Sequence, residues 1–387
     1  MQLQNFDINS FLRDYWQKKP LLIKNAFANW QNPLEPDELA GLACEEEVES
    51  RLITNTTFAK KDDWKLEHGP FPESRFGKLG KKQWTLLVQA VDHYVPEVAE
   101  LIEPFRFIPN WRIDDVMVSY AADEGGVGPH YDQYDVFLIQ GLGKRRWQIG
   151  QLCDHTTELL PHDDLRLLAN FEATDEWILE PGDILYVPPR IAHNGVAVGD
   201  DCMTYSIGFR APARSELIAH WCDYLLADME DDDRYEDKNL TTQKNPGEIS
   251  AKAIEQMHTM ITEKMLDRDA FARWFAQHNS IRKYPDMDWQ PDEPIEADEL
   301  REFLCDGFPL CRNPASRFSY IRQDNAVILF VDGQSFDCND ETTALAEQLC
   351  AMTHIDIDEN LLKSPSVMTL LVALFNQGSI GFDEEDH

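Results

Sequence analysis

Positive charge is scarce in this chain. Its 387 residues carry 35 Lys and Arg against 70 Asp and Glu, a formal charge of −35. A field of that sign repels phosphate backbones and anionic bilayers, so nucleic acid and membrane surfaces are poor partners and a basic protein is a good one. The shortage is most severe after residue 210, where 15 basic groups stand against 36 acidic ones. Paired cysteines are missing as well. Cys44, Cys153, Cys202, Cys222, Cys305, Cys311, Cys338 and Cys350 form no Cys-x-x-Cys, which indicates neither a zinc module nor a disulfide framework and fits reduced thiols in a cytosol. Long apolar runs are absent too. The longest, Val367 to Phe375 with one Thr inside it, falls far short of the ~20 residues of a membrane span, and no basic-then-apolar leader opens the chain. These gaps predict a soluble cytoplasmic protein with no direct nucleic-acid binding.

What is present predicts a folded, multi-domain chain. Hydrophobic residues make up 43% and aromatics 11%, with ten Trp and twenty Phe, and the length suits two or three domains. Residues 1–110 read as an α-rich lead-in, with helical patterning over 84–91 and a helix start at Pro36-Asp37. From Trp111 to Pro212 the pattern shifts to short β-rich runs, at 113–121, 134–140, 145–149, 177–179, 184–187 and 203–209. Turn clusters such as Gly141-Leu-Gly143 and Pro181-Gly-Asp183 separate them. Many short strands without interleaved helices predict a sandwich or barrel.

After Arg214 the period becomes helical. Leu217, Ile218, Trp221, Leu225 and Leu226 make one apolar stripe, and Ile254, Met257, Ile261 and Met265 another, which predicts a core or an oligomer seam. Residues 284–294, rich in Pro and acids, read as a linker. Beyond it, helices near 298–304, 342–352 and 358–376 and strands near 319–321 and 327–336 predict a small α+β domain.

Chemistry concentrates at His130-Tyr-Asp132, which follows the Gly-rich turn 124–129. In an extended segment residues i and i+2 point the same way, so an imidazole and a carboxylate converge while Tyr131 faces away. His162-Asp-Asp164 and His354-Ile-Asp356 repeat the spacing, so context must separate the three. Only the first is followed, some sixty residues on, by a Pro-Gly turn, a strand, a second turn and a histidine, Pro181 through His193. Two His and one carboxylate on three corners of an octahedron leave three corners open, the facial triad of non-haem Fe(II) oxygenases. Those corners suit a bidentate 2-oxo acid and O2.

A 2-oxoglutarate co-substrate also needs a cation for its distal carboxylate. In the strand Lys144-Arg-Arg-Trp-Gln-Ile149, alternation puts Arg145 on the apolar face with Trp147 and Ile149, opposite Lys144, Arg146 and Gln148. Arg145 is then the inward cation, with a planar fork suited to a carboxylate. Thr204 and Ser206 share a face of the last strand and offer hydroxyls to the same co-substrate.

Gly128-Pro-His-Tyr-Asp132, an Arg fifteen residues after that His, and Pro181-Gly-Asp183 leading to His193 together resemble the JmjC-type cupin 2-oxoglutarate oxygenases. Trp16-Gln-Lys-Lys-Pro20, Trp111-Arg-Ile-Asp-Asp115, Gln133-Tyr-Asp-Val136 and Gly208-Phe-Arg-Ala-Pro212 are similar to the bacterial ribosomal oxygenases within that group, arginine hydroxylases acting on protein sixteen of the large ribosomal subunit. The resemblance covers essentially the whole chain. It implies a double-stranded β-helix (cupin, jelly-roll) catalytic domain at 1–212 with its β core at about 111–212, a helical dimerisation domain at 213–290 and a winged-helix-like α+β domain at 291–387. It further implies iron on His130, Asp132 and His193, 2-oxoglutarate on Arg145, a basic large-subunit ribosomal protein as substrate, and a homodimer. Arg190 departs from the family pattern, where Gly is common. Asp123, Glu124 and Asp135 are the acids nearest the metal strand in sequence. Two other classes stay open at this point: a silent cupin that binds a protein through its acidic surface, and a zinc or manganese cupin enzyme.

Overall fold

A computed structural model describes residues 2–56, 63–323, 326–358 and 360–382. The chain divides into two compact units, residues 1–211 with 313–315, and residues 212–312 with 316–387. All eight cysteines are free, and among the described residues no helix is long and apolar enough to cross a membrane.

The first unit is built on one large antiparallel sheet. Its strands are β1 (Leu21–Ile23), β2 (Ser50–Asn55), β3 (Trp64–His68), β4 (Trp84–Val88), β5 (Ile113–Ala121), β6 (Val136–Leu152), β7 (Asp175–Leu179), β8 (Ile184–Val187) and β9 (Ile191–Phe209). They run in the order β1-β8-β6-β9-β5-β4-β2-β3, with β7 also on β6. Two long strands make the jelly roll. The first part of β6 pairs with β8 and the end of β9, and the second part pairs with β7 and the start of β9. One continuous ladder thus serves both halves of the roll.

Alternation decides which face becomes the site. Phe137, Ile139, Tyr205, Ile207 and Phe209 point to the outer face, where α1 (Ile8–Asp14) and α2 (Pro36–Leu42) help bury them in the main core. Phe11 of α1 meets Tyr186 edge-on with ring centroids 4.8 Å apart, and Phe105 lies 4.5 Å from Phe137. With that side covered, the alternate residues Leu138, Gln140, Thr204 and Ser206 line the interior. Two four-residue helices, α3 (Glu73–Phe76) and α4 (Pro96–Ala99), complete the lead-in.

Residues 84–91 are not a helix: β4 pairs with both β2 and β5, and the lead-in contributes four strands to the sheet. Gly141-Leu-Gly143 is not a turn but a bulge inside β6, where the register against β9 shifts twice. Gly143 takes a left-handed φ of +59°, and a Cβ there would lie 2.6 Å from the Asp201 carbonyl. The bulge has a consequence for the site. Gln140 and Arg145 are an odd number of residues apart, so a regular strand would send them to opposite faces; the inserted residue brings both inside.

The second unit holds α5 (Arg214–Ala227), α6 (Ala251–Met265), α7 (Arg268–Asn279), α8 (Ala297–Cys305), α9 (Asp340–Ala351) and α10 (Pro365–Asn376). Two three-stranded sheets accompany them, one of β10 (Leu310–Arg312), β14 (His354–Ile355) and β15 (Ile380–Phe382), the other of β11 (Phe318–Gln323), β12 (Ala326–Val331) and β13 (Gln334–Cys338). Asp267, Asn339 and Ser364 cap α7, α9 and α10 through their side chains. The expected strand at 327–336 is a hairpin that reverses at Asp332-Gly333, both with positive φ. The expected helix at 358–376 begins only at Pro365; its residue 359 lies outside the described residues. The expected linker at 284–294 is packed, since a Cβ on Gly378 would lie 1.9 Å from the Trp289 carbonyl, and Asn376 bonds both backbone groups of Ile295 just beyond it. Helix α7 seats on the second small sheet, where Ala276 meets Ile328 and Phe330 and Arg273 donates to Gln323 at 2.9 Å.

Candidate metal and co-substrate site

His130 and His193 come from segments that exchange both backbone hydrogen bonds, at 3.0 and 2.9 Å. That pairing sets the two imidazoles side by side, with ring centroids 4.3 Å apart. Gly128 makes the approach possible, because it takes φ +83° and a Cβ there would strike Trp64 and Leu167. Each ring donates its Nδ1 hydrogen to a backbone carbonyl, His130 to Gly128 at 2.8 Å and His193 to Ile191 at 3.0 Å. Those bonds fix the tautomer and leave both Nε2 lone pairs facing Asp132, whose Oδ2 lies 3.9 Å from His130 Nε2 and 3.5 Å from His193 Nε2. Burial, then the neighbouring His130, push the His193 pKa down to about 4, so this imidazole is neutral at pH 7, as a metal ligand must be.

The ligand atoms of His130, Asp132 and His193 all lie within 4.8 Å of one another, the only such group among the described residues. Three donors of this type clustered on one side, with carbonyls holding the far nitrogens, fit a divalent metal in a facial 2-His-1-carboxylate site. Tyr131 turns outward and donates to the Asp154 carbonyl at 3.1 Å. The other two His-x-Asp strings have no such company. His162 accepts from the backbone N–H groups of Asp164 and Leu165, and His354 sits exposed in β14 of the second unit. Arg190, at φ +65°, holds the loop beside the site, donating from its N–H to the Asp132 carbonyl at 2.7 Å while its own carbonyl accepts from Cys153. A left-handed Arg costs on the order of 1 kcal/mol, and it is held by those two bonds.

On the β6–β9 ladder Ile149 faces His193, Trp147 faces Gly195 and Arg145 faces Ala197. Arg145 is 3% exposed, while Lys144 and Arg146 are exposed. Its Nε donates to Cys202 Sγ at 3.4 Å, and its Nη2 is buried without a partner. Among the described residues no acid pairs with it, and a buried unpaired guanidinium is costly until an anion arrives. Gln140, fully buried, ties this end together: Nε2 donates to Leu142 O, Met203 O and Cys202 Sγ, and Oε1 accepts from Thr204. Thr204 and Ser206 lie on the interior face of β9, as alternation predicts, although the Thr204 hydroxyl hydrogen is committed to Gln140. Sequence reasoning missed Gln140, Cys202 and Ser119, which faces Thr204 across β5 and β9. Alternation from Thr204 could have placed Cys202 on the interior face, whereas Gln140 reaches the side of Arg145 only through the bulge; nothing local marks their contacts.

The three acids nearest the metal strand in sequence are engaged elsewhere. Lys82 pairs with Asp123 at 2.7 Å and Glu124 at 2.8 Å. Asp135 is fully buried and accepts from Tyr186 at 2.6 Å, Gln17 at 3.0 Å and Arg112 at 3.3 Å.

The JmjC domain family matches residues 100–217, and the ROXA-like winged helix family matches residues 259–381. The ribosomal protein uL16 3-hydroxylase of Escherichia coli K12 is 38% identical over 371 residues, covering 95% of each chain. The chain belongs to the JmjC ribosomal oxygenases. An X-ray structure of E. coli YcfD superposes with a TM-score of 0.88 at 36% identity, over 99% of this chain and 100% of that one. The E. coli ribosomal oxygenase YcfD in complex with cobalt and 2-oxoglutarate gives 0.85 at the same identity, over 99% of each chain. Cobalt there stands in for Fe(II). This ribosomal oxygenase is thus by class a 2-oxoglutarate-dependent dioxygenase, which uses Fe(II), 2-oxoglutarate and O2.

Proposed function

We propose that His130, Asp132 and His193 hold the iron, that Arg145 takes the distal carboxylate of 2-oxoglutarate, and that the enzyme hydroxylates an arginine side chain of a large-subunit ribosomal protein. The observation that carries the co-substrate reading is the buried, unpartnered Nη2 of Arg145 on the strand face that also bears His193 across the ladder. Iron held there would activate O2, the oxidant, with decarboxylation of 2-oxoglutarate to succinate and CO2 taking up one oxygen atom while the other enters a C–H bond. The protein's own part is positional. The Nδ1 bonds aim both imidazoles, the Cys202 and Gln140 contacts aim the guanidinium, and the hydroxyls of Ser206 and of Thr204, whose hydrogen goes to Gln140, line the same interior face.

A cationic substrate suits the surroundings. Tyr134 is 43% exposed as a residue, and desolvation of its phenol, then the charges of Asp132, Asp115 and Asp114, raise its pKa. An exposed aromatic residue offers a guanidinium a place to stack. The net charge of −35 favours a basic protein over a nucleic acid as partner. The E. coli relative acts on ribosomal protein uL16, and a protein of that class in the cytoplasm is the substrate proposed for this chain.

The helices at 213–290 are proposed as the dimerisation domain. On α5 Ile218 and Leu226 are 52% and 62% exposed, and on α6 Ile254 and Ile261 are 58% and 62% exposed. Apolar residues so bare on two consecutive helices are a seam for a second copy. The functional proposal is tested by following CO2 release from 2-oxoglutarate with Fe(II) and air. Release stimulated by a basic large-subunit protein and not by ribosomal RNA is expected; stimulation by RNA alone contradicts it.

A further inference from the structure

The two ends of the proposed co-substrate site stand on the same pair of strands, and one rung lies between them. His193 faces Ile149, Arg145 faces Ala197, and the rung between is Trp147 with Gly195. Side chains on alternate residues share a face, so the Trp147 indole projects into the interior between the iron end and the carboxylate end. Its ring centroid is 5.8 Å from that of His193, and the Arg145 guanidinium carbon is 5.7 Å from the same ring. Trp147 is 3% exposed, and its Nε1 is buried without a partner.

Gly195 makes room for the ring. A Cβ at that position would come within 2.7 Å of the indole, so any other residue there would push Trp147 out of place. Behind it Leu138, Leu179, Leu185 and Val187 belong to the same buried cluster, which leaves the ring little freedom to yield. The wall between the two ends is therefore both close to each end and rigid.

We infer that Trp147, seated on Gly195, determines the chain length of the 2-oxo acid this enzyme accepts. The inference rests on the iron and Arg145 assignments proposed above. A five-carbon 2-oxo diacid bound at the metal through its oxo-acid end and at Arg145 through its far carboxylate lays its two methylenes along the indole. A six-carbon homologue has one methylene more and must buckle into a ring that cannot move. A four-carbon homologue falls short and leaves the buried guanidinium unpaired. One methylene in a tight pocket changes selectivity by roughly 10–200-fold.

The test compares 2-oxoglutarate with 2-oxoadipate as co-substrate for the full-length wild type, Trp147→Phe and Trp147→Leu, by kcat/KM. The wild type is expected to favour 2-oxoglutarate by at least ~10-fold, and Trp147→Leu to narrow that preference by ~10-fold through better use of 2-oxoadipate, with Trp147→Phe between them. Folded variants with the wild-type preference would overturn the inference. A second measurement needs no variant: thermal shifts of the Co(II)-loaded wild type with malonate, succinate, glutarate, adipate and the N-oxalyl derivatives of glycine and β-alanine. A sharp optimum at the five-atom backbone of N-oxalylglycine supports the length gauge, and equal shifts for its longer homologue contradict it. Wild type that never turns over 2-oxoglutarate refutes instead the underlying assignment.

Discussion

Arg145 donates its Nε to the sulfur of Cys202 at 3.4 Å, and among the described residues this weak acceptor is its only hydrogen-bond partner while Nη2 is buried with none. A sulfur orients the guanidinium without neutralising it. The charge is kept for something that arrives from solution, and a carboxylate matches its planar fork.

Arg145→Ala is therefore expected to raise the KM for 2-oxoglutarate at least ~100-fold, the scale of a lost buried charge pair, while Arg146→Ala, on the exposed face, changes it less than about twofold. Steady-state kinetics at saturating substrate checks this. The reverse ranking would place the β6 alternation one residue out.

The metal assignment separates three look-alike motifs. His130→Ala and Asp132→Ala are expected to abolish Fe(II)-dependent turnover and Co(II) binding by calorimetry, whereas His162→Ala and His354→Ala leave both close to wild type. Loss of metal binding at His354 would contradict the site.

Asp135 has a structural part, and its removal should show in stability. It is fully buried, burial pushes its pKa up, and Tyr186, Gln17 and Arg112 all donate to it. Asp135→Ala leaves the mostly buried Arg112 without its acid, which costs on the order of 3–5 kcal/mol. Urea unfolding measures it; a cost below about 1 kcal/mol would show that Arg112 finds another partner.

The bare faces of α5 and α6 predict oligomerisation. Light scattering should give twice the 44.6 kDa chain mass, and Ile218→Glu with Ile261→Glu should return it to one chain. A wild-type monomer would leave those residues unexplained.

The clustering of His130, Asp132 and His193 was legible in the sequence because each histidine follows a turn that fixes it: Gly128-Pro129 before His130, and Pro188-Pro189 before His193. The burial of Arg145 was legible because Trp147 and Ile149 mark the buried side of its strand. Residues 84–91 misled because a continuous apolar run such as Thr85-Leu-Leu-Val88 fits a buried strand or a buried helix equally well, and only pairing with β2 and β5 decides between them. Gly141-Leu-Gly143 misled for a related reason. Its glycines signal a break, yet the chain continues as a bulge because β9 supplies partners on both sides of it. Asp135 could not be distinguished from a substrate-facing acid in sequence. Its burial depends on Gln17 and Arg112, which are 118 and 23 residues away.

The most direct test of the account is intact-mass analysis of bacterial ribosomal proteins incubated with the purified enzyme, Fe(II), ascorbate and air, with and without 2-oxoglutarate. The proposed activity gives a gain of one oxygen atom on a single basic large-subunit protein, located on an arginine by fragmentation, dependent on 2-oxoglutarate and absent with His130→Ala. No gain on any ribosomal protein, with 2-oxoglutarate still consumed, would contradict the substrate; no consumption at all would contradict the enzyme.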